Sequence, residues 1–120
     1  MNEELSPEIA NNPALAPRVR KASAILKEII GQSVGGRLIS VSVRWSLEKL
    51  QNGLESLRLS LEDSTGASAE AAFDAAGSQL GKEEYLRSRL LRVWGDLLQD
   101  RSHRQLSVLS SNVDVSGPLR

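Results

Sequence analysis

Apolar and polar residues alternate strictly in the stretch that begins near Arg37 and ends at Leu47. The apolar members are Ile39, Val41, Val43, Trp45 and Leu47, and the polar members are Ser40, Ser42, Arg44 and Ser46. Two later runs alternate in the same way: Leu57, Leu59 and Leu61, then Ala69, Ala71 and Phe73. Successive side chains of a strand point to opposite faces, so this pattern predicts three strands with one buried face.

The register of these strands follows from parity, because residues directly opposite each other in an antiparallel pair share a face. A two-residue loop at Asn52-Gly53 would place Trp45 opposite the polar Ser60. A three-residue loop, Gln51-Asn52-Gly53, instead pairs Leu47 with Leu57, Trp45 with Leu59, and Val43 with Leu61. The loop Ser64-Thr65-Gly66 likewise pairs Leu61 with Ala69, Leu59 with Ala71, and Leu57 with Phe73. Such loops end in a left-handed residue, which we expect at Gly53 and Gly66.

Two stretches that flank this meander have helical periodicity. From Pro17 to Ile30, one face carries Leu15, Val19, Ala22, Leu26, Ile29 and Ile30. From Lys82 to Leu106, a broader stripe carries Leu86, Leu90, Leu91, Val93, Trp94, Leu97 and Leu98. A three-stranded sheet with one apolar face needs a cover. We therefore predict an α+β fold in the order helix, three-stranded antiparallel meander, helix (αβββα), with both helices packed on one face of the sheet.

The length of 120 residues predicts one domain. Pro13 and Pro17 prevent a long helix near the start, so we expect residues 1–16 to form a flexible N-terminal arm. Residues 17–106 are then the single α+β domain. Residues 107–120 contain Ser, Asn, Gly and Pro, and we expect them to form a disordered C-terminal tail.

Fifteen basic and fifteen acidic residues give a formal net charge of zero, which is untypical of a dedicated nucleic-acid or membrane-surface binder. The chain has no cysteine, so it forms no disulfide and no cysteine-based metal site. It has no signal-peptide pattern at its start and no apolar stretch of membrane-spanning length. We expect a cytoplasmic protein that binds no membrane and needs no cofactor.

Three short patterns resemble catalytic or metal sites, and each has a simpler structural explanation. Gly31-Gln32-Ser33-Val34-Gly35 matches a nucleophile elbow, but a helix precedes the serine and a strand follows it, the reverse of the order that an elbow needs. Asp63-Ser64-Thr65-Gly66 resembles an aspartic-protease triplet with an extra residue and no second copy. Asp96, Asp100 and His103 share a helix face, but no second segment completes a set of metal ligands. We predict that the protein is not an enzyme and binds no metal.

Six cations support a hypothesis of nucleic-acid binding: Arg18, Arg20, Lys21 and Lys27 on the first helix, with Arg44 and Arg58 on the sheet. The predicted order of elements is also similar to that of double-stranded RNA-binding domains, whose second helix begins with a basic cluster. The corresponding stretch here, Gly81-Lys82-Glu83-Glu84, has one lysine and two acids, so we do not assign the chain to that family. Nucleic-acid binding is therefore the alternative function.

The polar face of the sheet is the surface that we favour for a function, because nothing in the predicted fold covers it. The residues that we predict to contact a partner are Ser42, Arg44, Ser46, Leu50, Leu54 and Ser60. Parity points Leu50 and Leu54 to this polar face, where they either clip over the hairpin turn or extend the partner surface. Our leading hypothesis is a small non-enzymatic protein-interaction module, either a homodimer or a binder of an unidentified protein.

Overall fold

The computed structural model describes residues 1–33, 40–74 and 79–115. Strand β1 is Asn2–Leu5, and it is followed by the short helix α1, Pro7–Ala10, and by helix α2, Ala16–Gln32. Strands β2, β3 and β4 are Val41–Lys49, Glu55–Asp63 and Ser68–Asp74. A 3-10 turn at Gln79–Gly81 precedes the long helix α3, Glu83–Val115. The predicted α+β class is confirmed.

Strands β2, β3 and β4 pair in the register that parity predicted. Trp45 lies opposite Leu59, and Leu59 lies opposite Ala71 on the next strand. Gly53 and Gly66 have φ angles of +81° and +89°, the left-handed conformation expected at the end of a three-residue loop. Both glycines donate a backbone hydrogen bond to the residue that precedes their loop, Leu50 and Asp63 respectively. The predicted positions Arg37, Leu38 and Ile39 lie outside the described residues.

Strand β1 corrects the predicted three-stranded antiparallel sheet. It pairs in parallel with β2, with Asn2 opposite Ser42 and Leu5 opposite Trp45, so the sheet has four strands in the order β1-β2-β3-β4. A parallel pair needs a long crossover, which α1 and α2 provide. The predicted flexible arm over residues 1–16 also needs correction, because Ile9 of α1 is fully buried in the core.

Both long helices pack on the same face of the sheet. On α2, Ser23 Oγ accepts a hydrogen bond of 2.7 Å from Trp45 Nε1. On α3, the Arg89 guanidinium lies 4.9 Å from the centre of the Phe73 ring. The fully buried Trp45 and Ile9 belong to this single core, where each large apolar side chain contributes about 1.5–3 kcal/mol. No described helix packs on the opposite face of the sheet, and its side chains are exposed or half-buried.

Both long helices extend past their predicted ends. Helix α2 continues to Gln32, two residues beyond its predicted end at Ile30. Helix α3 continues to Val115, well beyond the predicted end near Leu106, and includes part of the predicted C-terminal tail. Side chains from Ser102 to Ser107 are all exposed, which shows that this part of α3 leaves the core. The end of the predicted tail, residues 116–120, lies outside the described residues.

Candidate interaction surface on the sheet

The face of the sheet away from the helices is polar because every second residue of each strand points to it. We call this surface the open face. By register it comprises Asn2, Glu4, Ser42, Arg44, Ser46, Glu48, Ser56, Arg58, Ser60, Glu62, Ser68, Glu70, Ala72 and Asp74. All of these side chains are exposed or half-buried, so no described element covers the open face. Of the predicted partner-surface residues, Ser42, Arg44, Ser46 and Ser60 lie on it.

One end of the open face forms a depression with a volume of about 610 Å³. Two rows of side chains, each running across all four strands, line it. The first row is Asn2, Ser42, Glu62 and Ser68, and the second row is Glu4, Arg44, Ser60 and Glu70. We call these eight residues the acidic depression, because three carboxylates surround one arginine and a set of hydroxyl and amide groups.

The arginines of the open face are held by neighbouring glutamates. Arg44 Nη2 lies 3.3 Å from Glu4 Oε2, with both side chains 69% exposed, so this ion pair adds little stability. Arg58 bridges Glu48 and Glu70, at 3.1 Å from the latter. The hydrogen bond to Glu48 and the charges of Glu48 and Glu70 raise the pKa of the Arg58 guanidinium. Both arginines are therefore paired with carboxylates on neighbouring strands.

The open face as a whole is acidic. Its cations are Arg44 and Arg58, and its carboxylates are Glu4, Glu48, Glu62, Glu70 and Asp74. The excess of three negative charges attracts cations and repels phosphates. A nucleic acid would meet an unfavourable field here, despite the two arginines that were predicted to contact it.

The other four predicted nucleic-acid contacts lie on α2, on the opposite side of the sheet. Arg18, Arg20, Lys21 and Lys27 are all exposed. Among the described residues, Arg20, Lys21 and Lys27 have no carboxylate within ion-pairing distance, whereas Glu28 of the same helix lies 3.9 Å from Arg87 of α3. The structure therefore divides the six predicted cations between the two sides of the sheet.

Leu50 and Leu54 lie at the tip of the β2–β3 hairpin, at the far end of the open face from the acidic depression. The Leu50 amide donates a 2.7 Å hydrogen bond to the Leu54 carbonyl, which closes the turn. Their exposed fractions are 45% and 64%. Both leucines therefore expose apolar surface at the tip of the hairpin, and their role in binding a partner stays a prediction.

A second groove, which sequence reasoning missed, lies between the outer edge of β4 and α3. Its volume is about 290 Å³, and Arg89, Arg92 and Asp96 line its helical side. At one end Arg89 donates a 2.8 Å hydrogen bond to the Ala72 carbonyl, and at the other end Asp100 accepts one of 2.9 Å from the Ser68 amide. Two side chains of α3 thus form hydrogen bonds with backbone groups of β4 that an edge strand would otherwise leave unpaired.

Asp63, which stood in the protease-like pattern, has a structural role. Its buried carboxylate accepts hydrogen bonds from the backbone amides of Thr65 and Ala67, and from Arg101 Nε at 2.8 Å. Burial raises the pKa of Asp63, but the hydrogen bonds from Thr65, Arg101 and Ala67 outweigh this effect, so that the pKa lies below its ordinary value. An ionised and fully engaged carboxylate organises the β3–β4 turn.

The pattern Asp96, Asp100 and His103 does not come together as a metal site. Asp100 binds the Ser68 amide and Arg104, and these hydrogen bonds lower its pKa. Within the described part of the chain, no three histidine or acidic side chains converge on one point. The elbow-like pattern is also not supported, because Gly31 and Gln32 belong to α2. Its residues Val34 and Gly35 lie outside the described residues.

Comparisons of the chain with family models, with curated proteins and with solved structures gave no match. None of the helices in the described ranges is long and apolar enough to cross a membrane. Any functional conclusion therefore depends on the chemistry of the surfaces described above.

Proposed function

We propose that this protein is a non-enzymatic interaction module that binds a basic segment of a partner protein on its open face. The observation that carries this proposal is the acidic depression. It is a concave site that includes the glutamates of the open face Glu4, Glu62 and Glu70, and no described element covers this face. The cytoplasmic location expected from the sequence stays a prediction.

The chemistry of the acidic depression suits a lysine or arginine side chain. Carboxylates supply charge-assisted acceptors for such a cation, and the hydroxyl groups of Ser42, Ser60 and Ser68 can accept its remaining hydrogens. The exposed Leu50 and Leu54 would add apolar contact at the other end of the open face. Since exposed ion pairs are weak singly, we expect modest affinity that depends strongly on salt.

Binding of a labelled peptide tests the proposal. A lysine- and arginine-rich peptide should bind in a fluorescence anisotropy titration, whereas a peptide of the same length with glutamates in place of the cations should not. The double variant Glu62→Gln/Glu70→Gln should weaken binding by about tenfold, or 1.4 kcal/mol. The control, Glu83→Gln/Glu84→Gln, removes the same charge from exposed positions at the start of α3 and should bind as the wild type does. Equal binding by both double variants would overturn the proposal.

The alternative function, nucleic-acid binding, now depends on α2 alone, because Arg44 and Arg58 are paired with glutamates on an acidic face. The exposed Arg20, Lys21 and Lys27 favour it. The same anisotropy titration with labelled single-stranded and double-stranded RNA separates the two functions. Binding of RNA that weakens with salt and is lost in Arg20→Ala/Lys27→Ala would support this alternative.

A further inference from the structure

We infer that the basic segment recognised by the open face is helix α2 of a second copy of this chain, so that the protein associates head to tail. This inference rests on the proposed function and names the partner of the same surface. It starts from a contrast: the formal net charge of the chain is zero, yet the charges are separated between two sides of the fold.

The separation of charge is the first step. The open face has an excess of three negative charges. The outer surface of α2 carries Arg18, Arg20, Lys21 and Lys27, with Glu28 as its one exposed acid. Complementary surfaces of this kind steer association and select the orientation of the partner. The acidic open face of one copy can therefore bind the basic surface of α2 on another copy.

The second step is the position of the two surfaces. Helix α2 packs on the core face of the sheet, where Ser23 binds Trp45, and its four cations are exposed. These cations therefore lie on the side of the sheet opposite to the open face. One molecule can therefore offer its α2 to one neighbour and its open face to another, which is a heterologous contact that builds rings or filaments.

The third step is the match in spacing. Arg20 and Lys27 are seven residues apart, or about 10 Å along the axis of α2. Glu4 and Glu62 lie two strands apart and two residues out of register, which is roughly 12 Å and close to this spacing. Ala24 and Lys21 are the exposed residues between these two cations, and Lys21 adds a third positive charge. Two cations of one copy can then reach two carboxylates of the next.

Sedimentation velocity over a series of concentrations tests this association. At about 10 mM NaCl the wild type should form species larger than a monomer, and at about 1 M NaCl it should be a monomer, because the Debye length falls from about 30 Å to about 3 Å. Species that persist unchanged at high salt would show an apolar contact, and would overturn the inference.

A charge swap gives the sharper test. The variant Arg20→Glu/Lys27→Glu has an acidic α2, and the variant Glu4→Lys/Glu62→Lys has a basic open face. Each should be a monomer alone at low salt, and an equal mixture should regain the large species, because each variant then offers the surface that the other needs. The control Lys82→Glu/Arg92→Glu makes the same change in net charge as the first variant, and should associate as the wild type does. Circular dichroism melts establish that all variants are folded.

The outcomes separate this inference from the proposed function. If the wild type binds the basic peptide but stays a monomer at low salt, the open face has another protein as its partner and the self-association is wrong. If neither the peptide nor a second copy binds, the proposed function is wrong as well. Self-association that the unlabelled basic peptide inhibits would support both.

Discussion

Asp63 illustrates how a single side chain can define a turn. Its carboxylate collects hydrogen bonds from the loop that follows β3 and from Arg101 of α3, and so ties the sheet to the long helix. The side chains of Asp63 and Arg101 are 0% and 10% exposed, so this ion pair is buried. Removing one partner from a buried pair is costly, because the other charge is left without compensation.

Replacing Asp63 should therefore lower stability and change its pH dependence. The lowered pKa of Asp63 means that its carboxylate stabilises the fold above the unfolded value of about 3.9, and that this stability is lost as the pH falls through the folded value. Asp63→Asn should cost about 3 kcal/mol at neutral pH. Urea unfolding followed by tryptophan fluorescence between about pH 6 and about pH 2 should show a smaller acid loss in this variant than in the wild type.

The exposed Glu84→Gln variant is the control, since it should keep the wild-type slope of stability against pH. An unchanged slope in Asp63→Asn would mean that other carboxylates cause the acid loss. Asp100 is the first of these to examine, because its pKa is also lowered.

Gly53 gives a second prediction at the scale of one residue. Its φ of +81° is strained for any side chain with a Cβ, and a β-branched residue is the least tolerant. Gly53→Val should lower the free energy of unfolding by about 1–2 kcal/mol in urea titrations. The contrasting variant is Gly95→Ala in α3, where an added Cβ meets nothing within 4 Å, and which should gain up to about 1 kcal/mol. A neutral Gly53→Val would contradict the role assigned to the left-handed conformation.

At the scale of elements, the edge of β4 is protected by α3 rather than by its own sequence. Arg89 and Asp100 occupy the Ala72 carbonyl and the Ser68 amide, which limits pairing with a strand of another molecule. The double variant Arg89→Ala/Asp100→Ala should aggregate at a lower concentration, with a rise in thioflavin T fluorescence. The matched control is Arg92→Ala/Asp96→Ala, which removes the same charges from the same groove without freeing the backbone of β4. Equal aggregation of the two variants would contradict this protective role.

The elements also show what the sequence can and cannot predict. The register of β2, β3 and β4 was predictable, because alternation on both strands and a glycine at each loop end leave one solution. Strand β1 was not, since Asn2–Leu5 is short, mostly polar and paired with a strand distant in sequence. The extension of α3 to Val115 was also missed, because the Ser, Asn, Gly and Pro residues of 107–120 favour a disordered tail, and the helical spacing of Leu106, Leu109 and Val113 is too short a signal against them.

The candidate site was also predicted only in part. Ser42 and Ser60 were assigned to the open face from parity alone. The acidic depression was not predicted, because Glu4 belongs to it only through the pairing of β1. The carboxylates of Glu62 and Glu70 lie close together only because neighbouring strands pair. Register across several strands, and not any motif along the chain, creates this site.

At the scale of the whole molecule, the fold has two layers with different charge. The helical layer presents the cations of α2, and the sheet presents the acidic open face. A net charge of zero therefore hides a separation that the composition cannot reveal. Ionic strength is the variable that should control association of the whole molecule, since it screens exposed charges far more than the buried Asp63–Arg101 pair.

The parallel pairing of β1 has a consequence for the order of folding. The β2–β3–β4 meander joins strands that are neighbours in sequence. Asn2 of β1 can pair with Ser42 only after Ser42 has been synthesised, well after Asn2 itself. Closing so long a loop costs more conformational entropy than closing a hairpin, and it is therefore slower. We expect residues 2–5 to dock after the meander has formed. Since Glu4 is a wall of the acidic depression, a newly made chain would acquire its complete binding surface only in this late step.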